Sequence, residues 1–138
     1  MADRVFLDAN VLFSAAYREG STLLRLWGLP GVSILTSGYA AEEALRNAVD
    51  QEHLRRLNTL LFLTEITSCE PDTQPVRLPD ELMLHEKDRP ILLAALRARA
   101  THLITGDKQH FGHLFGTIVQ GVCIQTPSAY LQGRESES

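Results

Sequence analysis

The stretch Val5-Phe6-Leu7-Asp8-Ala9-Asn10-Val11-Leu12 changes character at a single residue. Apolar, β-rich residues lead into an aspartate, and helical spacing takes over from Asn10 to Tyr17. This is how a β-α unit opens. A second stretch has the same form: Leu103-Ile104-Thr105-Gly106-Asp107 is a short apolar run that closes on a carboxylate. In a parallel α/β sheet the carboxyl ends of strands share one edge, where such folds bind ligands. Two further acids fall where helices are expected, Glu43 within Tyr39 to Val49 and Asp88 at the head of Asp88 to Ala100. Carboxylates brought together repel unless a divalent cation sits among them. Because every candidate ligand is oxygen, Mg²⁺ or Mn²⁺ is the ion implied.

Working outward, apolar runs alternate with helical periodicities. Ser21 to Trp27 continues the first helical region after a break at Gly20, and Val32 to Thr36 reads as a second strand between Pro30-Gly31 and Ser37-Gly38. Glu52 to Leu63 is a helix with Leu54, Leu57, Leu60 and Leu61 expected on one face. Thr64 to Cys69 reads as a third strand, and Glu70 to Asp80, which carries three prolines, as a surface loop. Asp88 is a good N-cap for a helix with Pro90 in its first turn and Ile91, Leu92, Ala95 and Leu96 as the buried stripe. His102 to Thr105 and Val122 to Gln125 are the last two strands, with a short helix or turn at Gln109 to Phe115. Pro127 starts a final helix to about Leu131. The order implies a three-layer α/β/α sandwich with a mostly parallel central sheet. One domain over residues 1–132 and a flexible polar tail at 133–138 are expected.

Composition agrees with that reading. A chain of 138 residues, 44% hydrophobic and 22% charged, has the length of one domain with a sizeable core. Its two cysteines, Cys69 and Cys123, are too few for a disulfide scaffold and are not spaced as metal ligands, which favours reduced structural thiols and a cytoplasmic protein. No apolar run approaches the ~18 residues of a membrane span, and the first strand starts too early for a signal peptide. A formal charge of -4 argues against a general nucleic-acid binder, which is usually basic.

Taken singly, each acid has a plainer role. Asp8 and Asp88 are ordinary helix caps, Asp107 in Thr-Gly-Asp-Lys is ordinary turn chemistry, and Glu43, like its neighbour Glu42, is an ordinary helix-surface charge. The conjunction is what distinguishes them, since caps scatter over both ends of a sheet whereas Asp8 and Asp107 both follow apolar strands at their carboxyl side.

In this order, Val-Phe-Leu-Asp8-Ala-Asn10-Val-Leu, Ser37 through Glu43, Asp88-Arg-Pro-Ile-Leu-Leu-Ala-Ala and Leu-Ile-Thr105-Gly-Asp107-Lys-Gln-His-Phe resemble the signature of the PIN domain, from residue 4 to about residue 131. That family comprises metal-dependent nucleases, many of them VapC-type toxins of toxin-antitoxin pairs. The resemblance implies a metal-dependent ribonuclease with Asp8, Glu43, Asp88 and Asp107 holding Mg²⁺ or Mn²⁺. It further implies an antitoxin partner and a homodimer. Asn10 would hold a ligand or a metal-bound water, and Thr105 would orient Asp107. Glu43 is preferred over Glu42 because it lies six residues after Ser37, the usual family spacing. The chain departs from the pattern after Asp107: many toxin-type members carry a further acid there, and here the positions are Lys108, Gln109 and His110. His110 is either a substitute ligand or a half-buried polar residue beside Phe111.

Bound cations would also offset the acidic charge where a phosphodiester docks. Arg46, Lys87, Arg89 and Lys108 stand near the acids in sequence as candidate phosphate contacts. Two other classes compete. A non-catalytic PIN-like module would bind RNA or a protein without turnover. A haloacid dehalogenase-type phosphatase would use Asp8, Thr36 and Asp107, but it needs a second aspartate where Asn10 stands and a lysine the chain does not supply in the required stretch.

Overall fold

The computed structural model describes residues 2–67 and 78–136. Strand β1 (Asp3–Leu7) passes through Asp8 into helix α1 (Ala9–Tyr17), the Asp8 carboxylate accepting from the Ala9 amide. A 3₁₀ helix at Thr22–Gly28, capped by Ser21, leads to strand β2 (Val32–Ser37). Helices α2 (Gly38–Arg46) and α3 (Gln51–Phe62) start on the side-chain caps of Ser37 and Asp50, as short polar residues at those positions favour. Strand β3 (Glu65–Thr67) follows. After the undescribed segment a 3₁₀ turn, Glu86–Asp88, feeds helix α4 (Arg89–Arg97), strand β4 (His102–Ile104) and a short helix α5 (Lys108–Phe111). Strands β5 (Ile118–Val119) and β6 (Val122–Gln125) precede helix α6 (Pro127–Ser136).

The sheet order is β3-β2-β1-β4-β6-β5, parallel throughout except between β5 and β6. Successive side chains of a strand point to opposite faces, so the complete burial of Val5, Phe6 and Leu7 in a row requires that both faces of β1 be covered. Helices provide that cover, giving the three-layer sandwich. Each large side chain so buried is worth roughly 1.5–3 kcal/mol relative to exposure. The chain moves outward from β1 through β2 to β3 and then returns to place β4 on the other side of β1, so the strand order reverses between β1 and β4. Register sets Leu7 against Ile104. The residues that follow these two strands, Asp8 and Thr105, therefore meet at the carboxyl edge.

Several elements differ from the sequence reading, each for a local reason. Helix α2 stops at Arg46, where Asn47 leaves helical geometry as the C-cap and folds its side chain back onto the Glu43 carbonyl at 2.9 Å. The buried face of α3 is His53, Leu57 and Leu60, while Leu54 lies 39% exposed. His53 occupies the inner position because both ring nitrogens are satisfied, by the Val49 amide and the Phe13 carbonyl. Strand β5 escapes the sequence reading because it has only two residues, one of them the exposed Ile118, and turns through Gln120 and Gly121, both at positive φ. Helix α6 runs past Leu131 to Ser136, and Arg134 reaches the Asp3 carboxylate and the Pro30 carbonyl. Cys123 is a half-buried free thiol in β6; Cys69 and the loop expected from Glu70 fall largely outside the described residues. No helix among the described residues is long and apolar enough to cross a membrane.

Candidate metal centre

Strand order and register bring the acids to the crevice beside β1 and β4. A cleft of about 340 Å³ is lined by Asp8, Asn10, Glu43, Lys87, Asp88, Asp107 and His110, with Phe13, Ser14 and Asn47 completing its wall. A larger hollow of about 630 Å³ lies on the outer side of α3 between Leu54 and Phe62, but no acid lines it. The acids line the smaller cleft.

Asp8 is its most constrained member. One carboxylate oxygen accepts from the Ala9 amide at 2.7 Å; the other accepts from the Thr105 hydroxyl at 2.9 Å and the Asn10 amide group at 3.2 Å. The residue therefore caps α1 and still presents to the cleft. Burial pushes its pKa up from 3.8 to about 6; the hydrogen bonds from Thr105 and Ala9 oppose this, and the charges of Asp88 and Glu43 add to it. That electrostatic coupling records the proximity of three of the four acids.

The supporting residues form one network. The Asn10 side chain ties α1 to the turn after β4, its oxygen accepting from the Gly106 amide at 2.8 Å and its amide group donating to the Thr105 hydroxyl at 3.2 Å, while that hydroxyl accepts from the Asp107 amide at 3.2 Å within the turn. Asp107 in turn accepts the His110 amide at 3.1 Å and caps α5. Asp88 stands at the N-cap position of α4 but makes no capping hydrogen bond, contrary to its reading as a cap. Its side chain faces the cleft instead.

His110 Nδ1 lies 2.7 Å from Asp88 Oδ2 and 3.0 Å from Asp107 Oδ2. Both are ion-pair contacts if the imidazole is protonated, yet neither has hydrogen-bond geometry, so among the described residues Asp88 Oδ2 and His110 Nδ1 are buried atoms without a hydrogen-bond partner. At such distances that can hold only if the ring nitrogen points along neither N···O line. A buried carboxylate oxygen left without a hydrogen bond is costly unless a positive charge satisfies it, either a protonated His110 ring or a bound cation. Asp88, Asp107 and His110 each offer a ligand atom, and these lie within 4.8 Å of one another. The residues present thus fit a divalent ion.

Glu43 lines the cleft, whereas Glu42 is exposed and outside it. Of the four candidate phosphate contacts, Lys87 reaches the cleft wall; Arg46 and Lys108 are exposed beyond it, and Arg89 bonds the Leu82 carbonyl. Thr36 is fully buried and donates to the Leu7 carbonyl at 2.9 Å, a bond between neighbouring strands that leaves the hydroxyl no part in phosphate chemistry. The sequence reading did not single out Ser14, Asn47 or His85. Ser14 and Asn47 stand four residues after Asn10 and Glu43, so helical spacing was the available signal. His85 stacks on the His110 ring with centroids 4.7 Å apart, a contact made through folding and not prefigured by spacing.

No family model and no curated protein matches the chain. Among solved structures, the fold is similar to a chain in the crystal structure of VapBC2 from Rickettsia felis bound to a DNA fragment from their promoter. The TM-score is 0.58 at 14% identity, covering 89% of this chain and 98% of that one. The likeness is one of fold, and the architecture is accordingly PIN-like.

Proposed function

We propose that this chain is a divalent-metal-dependent endoribonuclease that hydrolyses RNA phosphodiester bonds. The observation that carries the reading is the buried Asp88 oxygen, without a hydrogen bond among the described residues, at a crevice shared with Asp8, Glu43 and Asp107. Those four acids would hold Mg²⁺ or Mn²⁺, which when bound supplies Lewis-acid stabilisation of the phosphoryl oxygens and a water that is acidic near neutral pH. The chain's own residues do the positioning. Asn10 and Thr105 fix Asp8 and Asp107, and Lys87 on the cleft wall suits a phosphate contact. RNA as substrate, product ends of 5′-phosphate and 3′-hydroxyl, a homodimer and an antitoxin partner follow from the family resemblance, and a cytoplasmic location from the cysteine usage. The neighbouring structure, a VapBC complex, supports the partner.

The test is incubation of purified protein with single-stranded RNA in Mg²⁺ or Mn²⁺, alongside Asp107→Asn. Cleavage that EDTA abolishes and that falls 10² or more in the variant, on the order of 3 kcal/mol, supports the reading. Cleavage undiminished by EDTA overturns it, and RNA binding without cleavage identifies a non-catalytic module.

A further inference from the structure

We infer that His110 is a nitrogen ligand of the metal centre, so that the site selects a first-row transition ion such as Mn²⁺ over Mg²⁺. The inference rests on the proposal that the cleft binds a divalent ion, and it concerns which ion and through which atom.

Three observations carry it. First, His110 Nδ1 sits 2.7 Å from Asp88 Oδ2 and 3.0 Å from Asp107 Oδ2 without hydrogen-bonding to either. Donor atoms about 2.1 Å from a shared octahedral ion lie roughly 3 Å apart along the edge of the octahedron, so these spacings suit neighbouring ligands as well as they suit an ion pair. Second, Asp88 Oδ2 is buried and unpartnered, in a residue only 8% exposed. Among the described residues it takes no hydrogen bond, its near neighbour being His110 Nδ1, and a cation held between them would satisfy both atoms. Third, the imidazole is held in place for coordination. Its ring stacks on His85 at an interplanar angle of 14°, and the His110 amide donates to the second oxygen of Asp107, leaving Oδ2 to face Nδ1. His85 is a positioning residue in this scheme. Mg²⁺ takes oxygen ligands almost alone, whereas first-row ions also accept imidazole, Mn²⁺ least avidly of that series, so one nitrogen in the set shifts selectivity away from Mg²⁺ without abolishing binding.

The experiment is Mn²⁺ titration by calorimetry with pulsed EPR of the bound ion, in wild type, His110→Ala, His110→Asp and Asp107→Asn. Circular dichroism melts verify that each is folded. Wild type should show ¹⁴N coupling typical of imidazole, converted to a ¹⁵N pattern by labelled histidine and absent in His110→Ala. The Mn²⁺ dissociation constant should rise at least tenfold in His110→Ala, the lower end of what even ligand-orienting partners contribute. His110→Asp, whose ligands are all oxygen, should narrow the preference for Mn²⁺ over Mg²⁺. Mn²⁺ that binds in wild type and is lost in Asp107→Asn, with no nitrogen coupling and no change in His110→Ala, overturns this inference and leaves the nuclease reading intact. Failure of wild type to bind any divalent ion overturns both.

Discussion

The Thr105 hydroxyl donates to Asp8 Oδ2 at 2.9 Å across 97 residues of chain, and the same hydroxyl oxygen accepts from the Asp107 amide and the Asn10 side chain. One fully buried hydroxyl thus joins both strand-terminal acids. Thr105→Val keeps the shape and removes the bond, leaving the Asp107 amide without its acceptor and Asp8 with one donor fewer. A loss of about 1–3 kcal/mol in urea unfolding is expected, with Thr105→Ser restoring most of it. Equal stability of Val and Thr at this position would show the network to be incidental.

Asp88 gives a different expectation, because a cap that makes no hydrogen bond has no capping energy to lose. Its charge instead raises the pKa of Asp8. Asp88→Asn should therefore be at least as stable as wild type in EDTA at pH 7.5, while losing metal-dependent cleavage. A clear destabilisation in chemical denaturation would restore the capping role that the sequence suggested.

Metal binding should appear as stability. An ion that binds only the folded chain adds about 2.7 kcal/mol at a hundred times its dissociation constant, so Mn²⁺ should raise the melting temperature of wild type. Asp107→Asn should respond much less. Identical shifts in the two proteins would place the ion elsewhere.

The acids that end strands were the legible part of the site, because a parallel sheet converts the position after a strand into a place on one edge. Asp8 and Asp107 needed only the alternation of strands and helices to be placed. Glu43 was separable from Glu42 by motif spacing, and its helix phase turns it into the cleft. His110 was not legible in the same way. Its contact with Asp88 depends on the 3₁₀ turn at Glu86–Asp88 meeting α5, a packing relation that no local pattern encodes. The same limit explains Leu54: four leucines at helical spacing suggested one face, but His53 took the inner position through two polar contacts, one of them to a carbonyl on α1.

The most discriminating experiment is the stability of Asp8→Asn as a function of pH in EDTA. Folding raises the pKa of Asp8 from 3.8 to about 6, chiefly through burial, so the folded protein holds that proton more tightly than the unfolded one. Its protonation therefore favours folding fully below the unfolded value, and this contribution is lost as pH rises through about 6. Above that range, keeping the carboxylate charged costs roughly 3 kcal/mol. Asparagine escapes this cost. It also loses hydrogen bonding, since its amide group replaces the oxygen that accepts from Thr105 and Asn10, at about 1–2 kcal/mol. The mutant should be the less stable protein near pH 4 and equal or exceed wild type at pH 7.5, the difference moving by roughly 2 kcal/mol in its favour. Saturating Mn²⁺ at pH 7.5 should reverse the order again, because only wild type gains binding energy from an intact site. A difference that stays flat from pH 4 to 7.5 would mean that Asp8 carries no buried charge, and the acid-cluster account of this crevice would fail with it.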